Sequence, residues 1–253
     1  MRVVSLSSIK GGVGKTTAAV NFAHLAADRG ARVLLWDLDP QGAATYTLGV
    51  GARVAGGARR LATKSKRLSR SMVGTAHPNL DVVPADFSLR YLDLELSRLE
   101  RPQRRIARML RHVNDRYDYV FLDCPPGITL TVEGAIRASD AVVVPVVPAG
   151  LPMRSFEQLA SYFRADKQLR RVQLLAFLSM VDRRKRGHRD MSERLPLERS
   201  DVMEQWIPAS VHIEAMADDR EPIVSSHPNS PTAASYRDLF TALNDAMASS
   251  AAR

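Results

Sequence analysis

Ile9-Lys10-Gly11-Gly12-Val13-Gly14-Lys15-Thr16-Thr17 decides how the rest of the chain is read. It follows the apolar, β-branched run Val3-Val4-Ser5-Leu6 and leads into Ala18-Ala19-Val20-Asn21-Phe22-Ala23-His24-Leu25-Ala26-Ala27. That order of strand, loop and helix is the setting a phosphate-binding loop requires. Gly11, Gly12 and Gly14 let the backbone turn tightly and aim its N–H groups inward, a nest for β- and γ-phosphates at a helix N-terminus. Lys15 is placed to bridge β- and γ-phosphate oxygens and the Thr16 hydroxyl to ligate Mg²⁺, with Val13 and Thr17 completing the run.

The 253 residues carry 36 Lys+Arg against 27 Asp+Glu, a net charge of +9, and 45% of them are apolar. This suits one α/β domain spanning 1–253 with a large core, and a polyanionic partner. No apolar run approaches the 18 or more residues of a membrane span, and the N-terminus reads as a strand where a signal peptide would carry charge and then an apolar stretch. The expectation is a cytoplasmic protein with no integral membrane segment. A single cysteine, Cys124, excludes an internal disulfide and an all-cysteine metal site within one chain.

Strand and helix patterns alternate without an internal repeat, which predicts a mostly parallel twisted sheet with helices on both faces. Arg32-Val33-Leu34-Leu35-Trp36 reads as a second strand emerging at Asp37-Leu38-Asp39-Pro40-Gln41-Gly42. Tyr119-Val120-Phe121-Leu122 delivers Asp123 at another strand end, before Cys124-Pro125-Pro126-Gly127. Ligands of such sheets bind at the carboxyl ends of the strands, so these aspartates fall beside the phosphate loop. A carboxylate ending an apolar strand can hold Mg²⁺ directly or through water.

The loop departs from the ordinary G-x-x-x-x-G-K-[ST] pattern: Ile9 stands where glycine is expected, and a second lysine, Lys10, opens the run. This deviant form, K-G-G-x-G-K-T-T, resembles the ParA/MinD family of P-loop ATPases. The resemblance extends to the D-x-D-P-Q and D-C-P-P switch segments and covers roughly residues 2–182 and 207–245. It implies that Lys10 reaches across an ATP-sandwiched homodimer to the partner's phosphates and that Asp39 orients the attacking water. It further implies that Asp37 and Asp123 support the Mg²⁺ shell. Met180-Val181-Asp182-Arg183 resembles the segment lining the base pocket, and Ile207-Pro208-Ala209-Ser210-Val211 the element near adenine, with Ala209 in place of the usual arginine.

Two basic stretches are candidates for the polyanion. Residues 51–70 hold Arg53, Arg59, Arg60, Lys64, Lys66, Arg67 and Arg70 with no acid, and are expected to form a loop or short mobile helix. Residues 183–194 begin with Arg183-Arg184-Lys185-Arg186-Gly187-His188-Arg189, expected to be a loop. The resemblance implies non-specific duplex-DNA binding through such residues, with Arg183, Arg184, Lys185, Arg186 and Arg189 the first choice. A third arginine set, Arg101, Arg104, Arg105, Arg108 and Arg111, is expected on the outside of a helix whose Ile106, Met109, Leu110 and Val113 face the core.

Residues 192–206 fit the resemblance poorly, since no convincing strand is expected before Ile207, and a final helix should start at Pro231 after Ser230 as N-cap. The tail from Ala248 to Arg253 is too small and weakly basic for the amphipathic anchor of MinD-like members. With the phosphate loop starting at residue 9, no N-terminal helix-turn-helix is expected ahead of it. The resulting reading is a ParA-like ATPase using ATP and Mg²⁺, nucleoid-associated and working with a ParB-like or other cargo adaptor. A MinD-like membrane-positioning ATPase and a nucleotide-gated scaffold without turnover are the alternatives.

Overall fold

The structure, a computed structural model, describes residues 1–54, 56–64 and 68–251. Eight strands form one sheet: β1 (Arg2–Leu6), β2 (Val33–Asp37), β3 (Val73–Gly74), β4 (Leu80–Val83), β5 (Tyr119–Asp123), β6 (Ala141–Val146), β7 (Gln173–Val181) and β8 (Val202–Pro208). Their order is β3-β4-β2-β5-β1-β6-β7-β8, parallel throughout except for the short antiparallel β3 at one edge. Central strands of this kind are buried on both faces and read as near-continuous apolar runs, as β1, β2, β5 and β6 do.

Alternate residues of each strand supply different cores. Val4, Leu6, Val33, Leu35 and Phe121 pack with α1 (Lys15–Asp28) on one face. Val3, Leu34, Trp36, Val120 and Leu122 pack on the other. Going along the chain, the remaining helices are α2 (Ala43–Thr47), α3 (Gly57–Thr63), α4 (Leu68–Ser71), α5 (Leu92–Ser97), α6 (Arg105–Leu110), α7 (Leu130–Ala138) and α8 (Gly150–Ala165). There follow α9 (Arg186–Glu198), α10 (Val211–Asp219), α11 (Ile223–Ser226) and α12 (Pro231–Ala251). α12 joins the α1 face through Tyr236, Leu239, Phe240, Leu243 and Met247, and the Ser230 hydroxyl caps it by accepting the Ala233 N–H at 3.1 Å.

Three expectations are corrected, and a fourth segment is seen in more detail. A strand, β8, does precede and include Ile207; its Glu204-Gln205-Trp206 segment is exposed to half-buried, so it carries no apolar run to mark it as a strand. The basic run at 183–194 is a turn and then the first part of α9, whose hydrophilic pattern suits a helix with no buried residue. Among the described residues of 51–70, Gly57–Thr63 and Leu68–Ser71 are short helices fastened to the sheet end: the Asp86 carboxylate accepts the Val54 N–H, the Ser88 hydroxyl accepts that of Ala58, and Leu61 and Leu68 are buried. Lys66 and Arg67 of that stretch, and Ala252 and Arg253 of the tail, lie outside the described residues. Finally, Arg105 faces inward, 7% exposed, among the expected core residues Ile106, Met109, Leu110 and Val113.

Candidate nucleotide-binding site

The ends of β1, β5 and β2 are level: Leu6 pairs with Asp123, and Asp123 with Asp37. Because β1 lies between β5 and β6, the chain leaving β1 opens at the point where the connections change side, where open α/β sheets hold their ligands. A cleft of about 610 Å³ forms there, walled by the whole run Gly11 to Thr17, by Asp39, Pro40 and Gln41, by Pro125 and Pro126, and by Met180.

The loop's shape depends on two glycines. Gly12 and Gly14 have φ of 70° and 96°, left-handed values that side chains resist. At Gly14 a Cβ would also meet Ser179 Oγ at 2.9 Å, so β7 closes the space behind the loop. Ser8 Oγ donates to the Lys10 carbonyl at 2.6 Å, and Lys15 Nζ donates to Ser8 Oγ at 3.3 Å and to the Lys10 carbonyl at 3.4 Å. Lys15 is thereby folded back under its own loop, 6% exposed. Burial lowers its pKa, opposed by Asp123 and Asp39. Lys10 itself is half-buried and forms no ion pair among the described residues.

The three aspartates differ sharply in environment. Asp37 is fully buried and bonded: Oδ2 accepts the Thr45 N–H at 2.9 Å and the Thr45 hydroxyl at 2.7 Å, and Oδ1 accepts the Asp39 N–H at 3.1 Å. Burial raises its pKa to about 6 against the lowering effect of Thr45. Thr45 Oγ1 also accepts the Ala85 N–H at 2.8 Å, so Asp37 ties the loop after β2 to the end of β4. Asp39 lines the cleft, its Oδ1 accepting the Gln41 N–H at 2.9 Å. Asp123 has no exposed surface, and neither carboxylate oxygen has a hydrogen-bond partner. Burial and the neighbouring Asp37 push its pKa well up, opposed by Thr16 and Lys15.

An unpartnered buried carboxylate beside a threonine hydroxyl fits Mg²⁺. That ion is normally held by one or two carboxylates with waters and substrate phosphates, and no all-protein cage is needed. Among the described residues no group of three or more His, Cys, Asp or Glu is placed to hold a metal. Thr16 and Asp123 would make direct or water-mediated contact, whereas both Asp37 oxygens are already committed to the loop that carries Asp39. Cys124 is fully buried, and burial raises its thiol pKa, as suits a packing residue.

Of the residues expected around the base, only Met180 lines the cleft, with an unusual φ of 56° at the end of β7. Ile207 is fully buried in the core shared with Met216 and Ile223, facing away from the cleft because alternate β8 side chains point to opposite faces. Asp182 is occupied by Arg184, with contacts of 3.0 and 3.1 Å, and Arg184 holds the Asp182 pKa down to about 2. Pro208 ends β8 opposite Val181, and the N–H of Ala209 just beyond it donates to the Val181 carbonyl at 3.1 Å, both outside the cleft lining. Ser8, Thr45 and Ser179, which shape the loop and fasten Asp37, carry no local sequence signal for these roles.

The basic run is partly neutralised. Besides the Arg184–Asp182 pair, Arg186 lies 3.6 Å from Asp190, and the Arg183 guanidinium sits over the Trp206 ring. Among the described residues Arg183, Lys185 and Arg189 form no ion pair, and all are exposed.

A cleft of this construction defines a P-loop nucleotide-binding α/β protein. An AAA-domain family model matches residues 1–174. The chain is 33% identical over 243 residues to the sporulation initiation inhibitor protein Soj of Bacillus subtilis, covering 94% of this chain and 96% of that protein. It is 35% identical over 198 residues to the chromosome partitioning protein ParA of Caulobacter vibrioides, covering 73% and 71% respectively. A Cyanothece McdA variant in complex with ATP has the same fold, with a TM-score of 0.82 at 19% identity over 96% of both chains. The chain belongs to the ParA/MinD family of P-loop ATPases, a family of partitioning and positioning proteins.

Proposed function

We propose that this chain, acting as one domain, binds ATP with Mg²⁺, closes into a homodimer, and in that state binds duplex DNA without sequence preference. Hydrolysis then opens the dimer, and the cycle segregates or positions a cargo presented by a ParB-like or other adaptor on the nucleoid in the cytoplasm. The observation that carries the reading is Asp123, an unpartnered, fully buried carboxylate level with the base of the phosphate loop and beside Lys15.

The loop N–H groups and Lys15 hold the phosphates, and Lys15 moves from its own loop carbonyl to the phosphate oxygens. Mg²⁺, when bound, supplies charge neutralisation as the γ-phosphoryl group leaves. Asp39, on the cleft wall, orients the water in line, its position fixed through the Asp37–Thr45 contacts. Lys10, with no ion pair among the described residues, adds a positive charge to the partner's phosphates across the dimer. Since catalysis here is positioning and charge, the lone protein should turn over slowly, on the order of 10⁻⁴–10⁻² s⁻¹, until an adaptor stimulates it.

The test is duplex-DNA binding by purified protein with ATP, ADP or no nucleotide across a salt series. Binding that requires ATP and weakens steeply with salt is the expected result. Binding indifferent to nucleotide would sink the gated cycle, and ATP-dependent sedimentation with anionic liposomes in place of DNA would favour the membrane-positioning alternative.

A further inference from the structure

The arginines between Leu99 and Arg108 enclose a second cavity, separate from the nucleotide cleft. It measures about 220 Å³ and is lined by Leu99, Glu100, Arg101, Arg104, Arg105 and Arg108. Arg105 is 7% exposed, and its Nε and Nη2 have no hydrogen-bond partner. A guanidinium is a rigid fork of donors that stays charged, and leaving it buried and unpaired is costly. Burial and the adjacent Arg108 both lower its pKa, the direction expected of a cation lacking its counter-ion. Glu100, the one acid among the lining residues, is exposed to solvent and forms no ion pair among the described residues, so four arginines face a single carboxylate there.

We propose that this pocket binds a small, multiply charged phosphate compound, with Arg105 as the buried anchor and Arg101, Arg104 and Arg108 as the rim. The cavity is smaller than the ~300 Å³ lower end of pockets for drug-sized ligands, which suits a terminal phosphate or pyrophosphate group. A duplex phosphodiester carries one charge and two bulky substituents, and would stay at the rim without reaching Arg105. The site is joined indirectly to the cleft wall, through the packing of α6 on α7. α6 presses on α7 so closely that a Cβ at Gly134 would meet Ile106 Cγ1 at 3.0 Å. α7 begins three residues after Gly127, in the segment that carries Pro125 and Pro126 on the cleft wall.

The test uses the full chain carrying Lys15→Ala, which disables the phosphate loop, titrated calorimetrically with pyrophosphate in chloride buffer without Mg²⁺. The expected result is one saturable site, weakened at least tenfold by Arg105→Met. Pyrophosphate should raise the melting temperature of the Lys15→Ala protein but not that of the doubly substituted one. Should Arg105→Met fail to fold, Arg104→Gln with Arg108→Gln on the rim serves instead, with a weakening of threefold or more. Absence of saturable binding, or binding unchanged by these substitutions, would overturn the proposal. So would a loss confined to duplex-DNA binding in the same variants, since that would make the arginines a DNA surface. Because the readout needs no ATP turnover, it stands apart from the DNA-binding test above.

Discussion

The phosphate loop and the basic segment at the start of α9 are both dense in charge, yet the molecule treats them in opposite ways. In the cleft the charges are buried: Lys15, Asp37 and Asp123 have almost no exposed surface, and each has a perturbed pKa. Along α9 no residue is buried, and Arg186 and Arg194 on it, like Arg184 just before it, are paired with acids. Desolvated charges cost several kcal/mol when unpaired, whereas exposed pairs contribute ~0–1 kcal/mol. The lesson is that strain toward a ligand concentrates where water is excluded, and an exposed basic face can offer only a salt-dependent attraction.

The strongest challenge to that contrast is Lys15→Ala. Losing charge-assisted hydrogen bonds to two phosphates, each worth ~1.5–3 kcal/mol, should weaken ATP binding by about a hundredfold or more in a fluorescent-nucleotide titration. Asp39→Ala should keep ATP affinity while lowering single-turnover hydrolysis by roughly 10²-fold, and would trap the dimer on DNA. Normal turnover in that variant would remove the role assigned to Asp39.

On the exposed side, charge reversal at Arg183, Lys185 and Arg189 should weaken DNA binding by about tenfold or more. The log–log salt slope should fall by up to ~0.9 for each phosphate no longer neutralised, with nucleotide affinity unchanged. An unaltered slope would move the DNA surface to another basic face.

A subtler effect comes from pH. Asp37 has its folded pKa raised to about 6 from an ordinary 3.8, and Asp123 is raised as well. The folded state therefore holds more protons than the unfolded one between those values, and stability falls as pH rises through the window from about 4 to 6. Thermal melts of Mg²⁺-free protein should show this slope, and Asp123→Asn should flatten it. The ion-paired carboxylates Asp118 and Asp182, held down to about 2 by Arg32 and Arg184, act in the opposite sense only below that window. The smallest effect is expected for Arg184→Ala, whose partner contact is at the surface and whose melting temperature should match the parent's.

Much of the cleft is legible in the sequence. Gly12 and Gly14, Lys15, Thr16, Asp39 and Met180 all fall on its wall, and Asp123 stands at the end of β5, one step beyond the apolar run that predicts the strand. The sheet's parallel character also follows from alternating strand and helix patterns. The strand β8 escapes such a reading because its middle, Glu204-Gln205-Trp206, is exposed to half-buried and carries no apolar run. Ile207 escapes it because the register that turns this side chain to the core depends on pairing with β7. The antiparallel β3, two exposed residues long, has no pattern to read.

Sequence alone determined the local chemistry: a glycine-rich turn between an apolar strand and a helix, and carboxylates one step beyond apolar strands, are properties of neighbouring residues. Tertiary structure decided which charges would lack partners. Arg104, Arg105 and Arg108 sit in one short stretch, yet only Arg105 is buried in the folded chain. Asp37 and Asp123 end similar strands, yet Thr45 satisfies the first and no hydrogen bond among the described residues satisfies the second. Desolvation depends on the atoms brought from distant parts of the chain, and no spacing of residues encodes it.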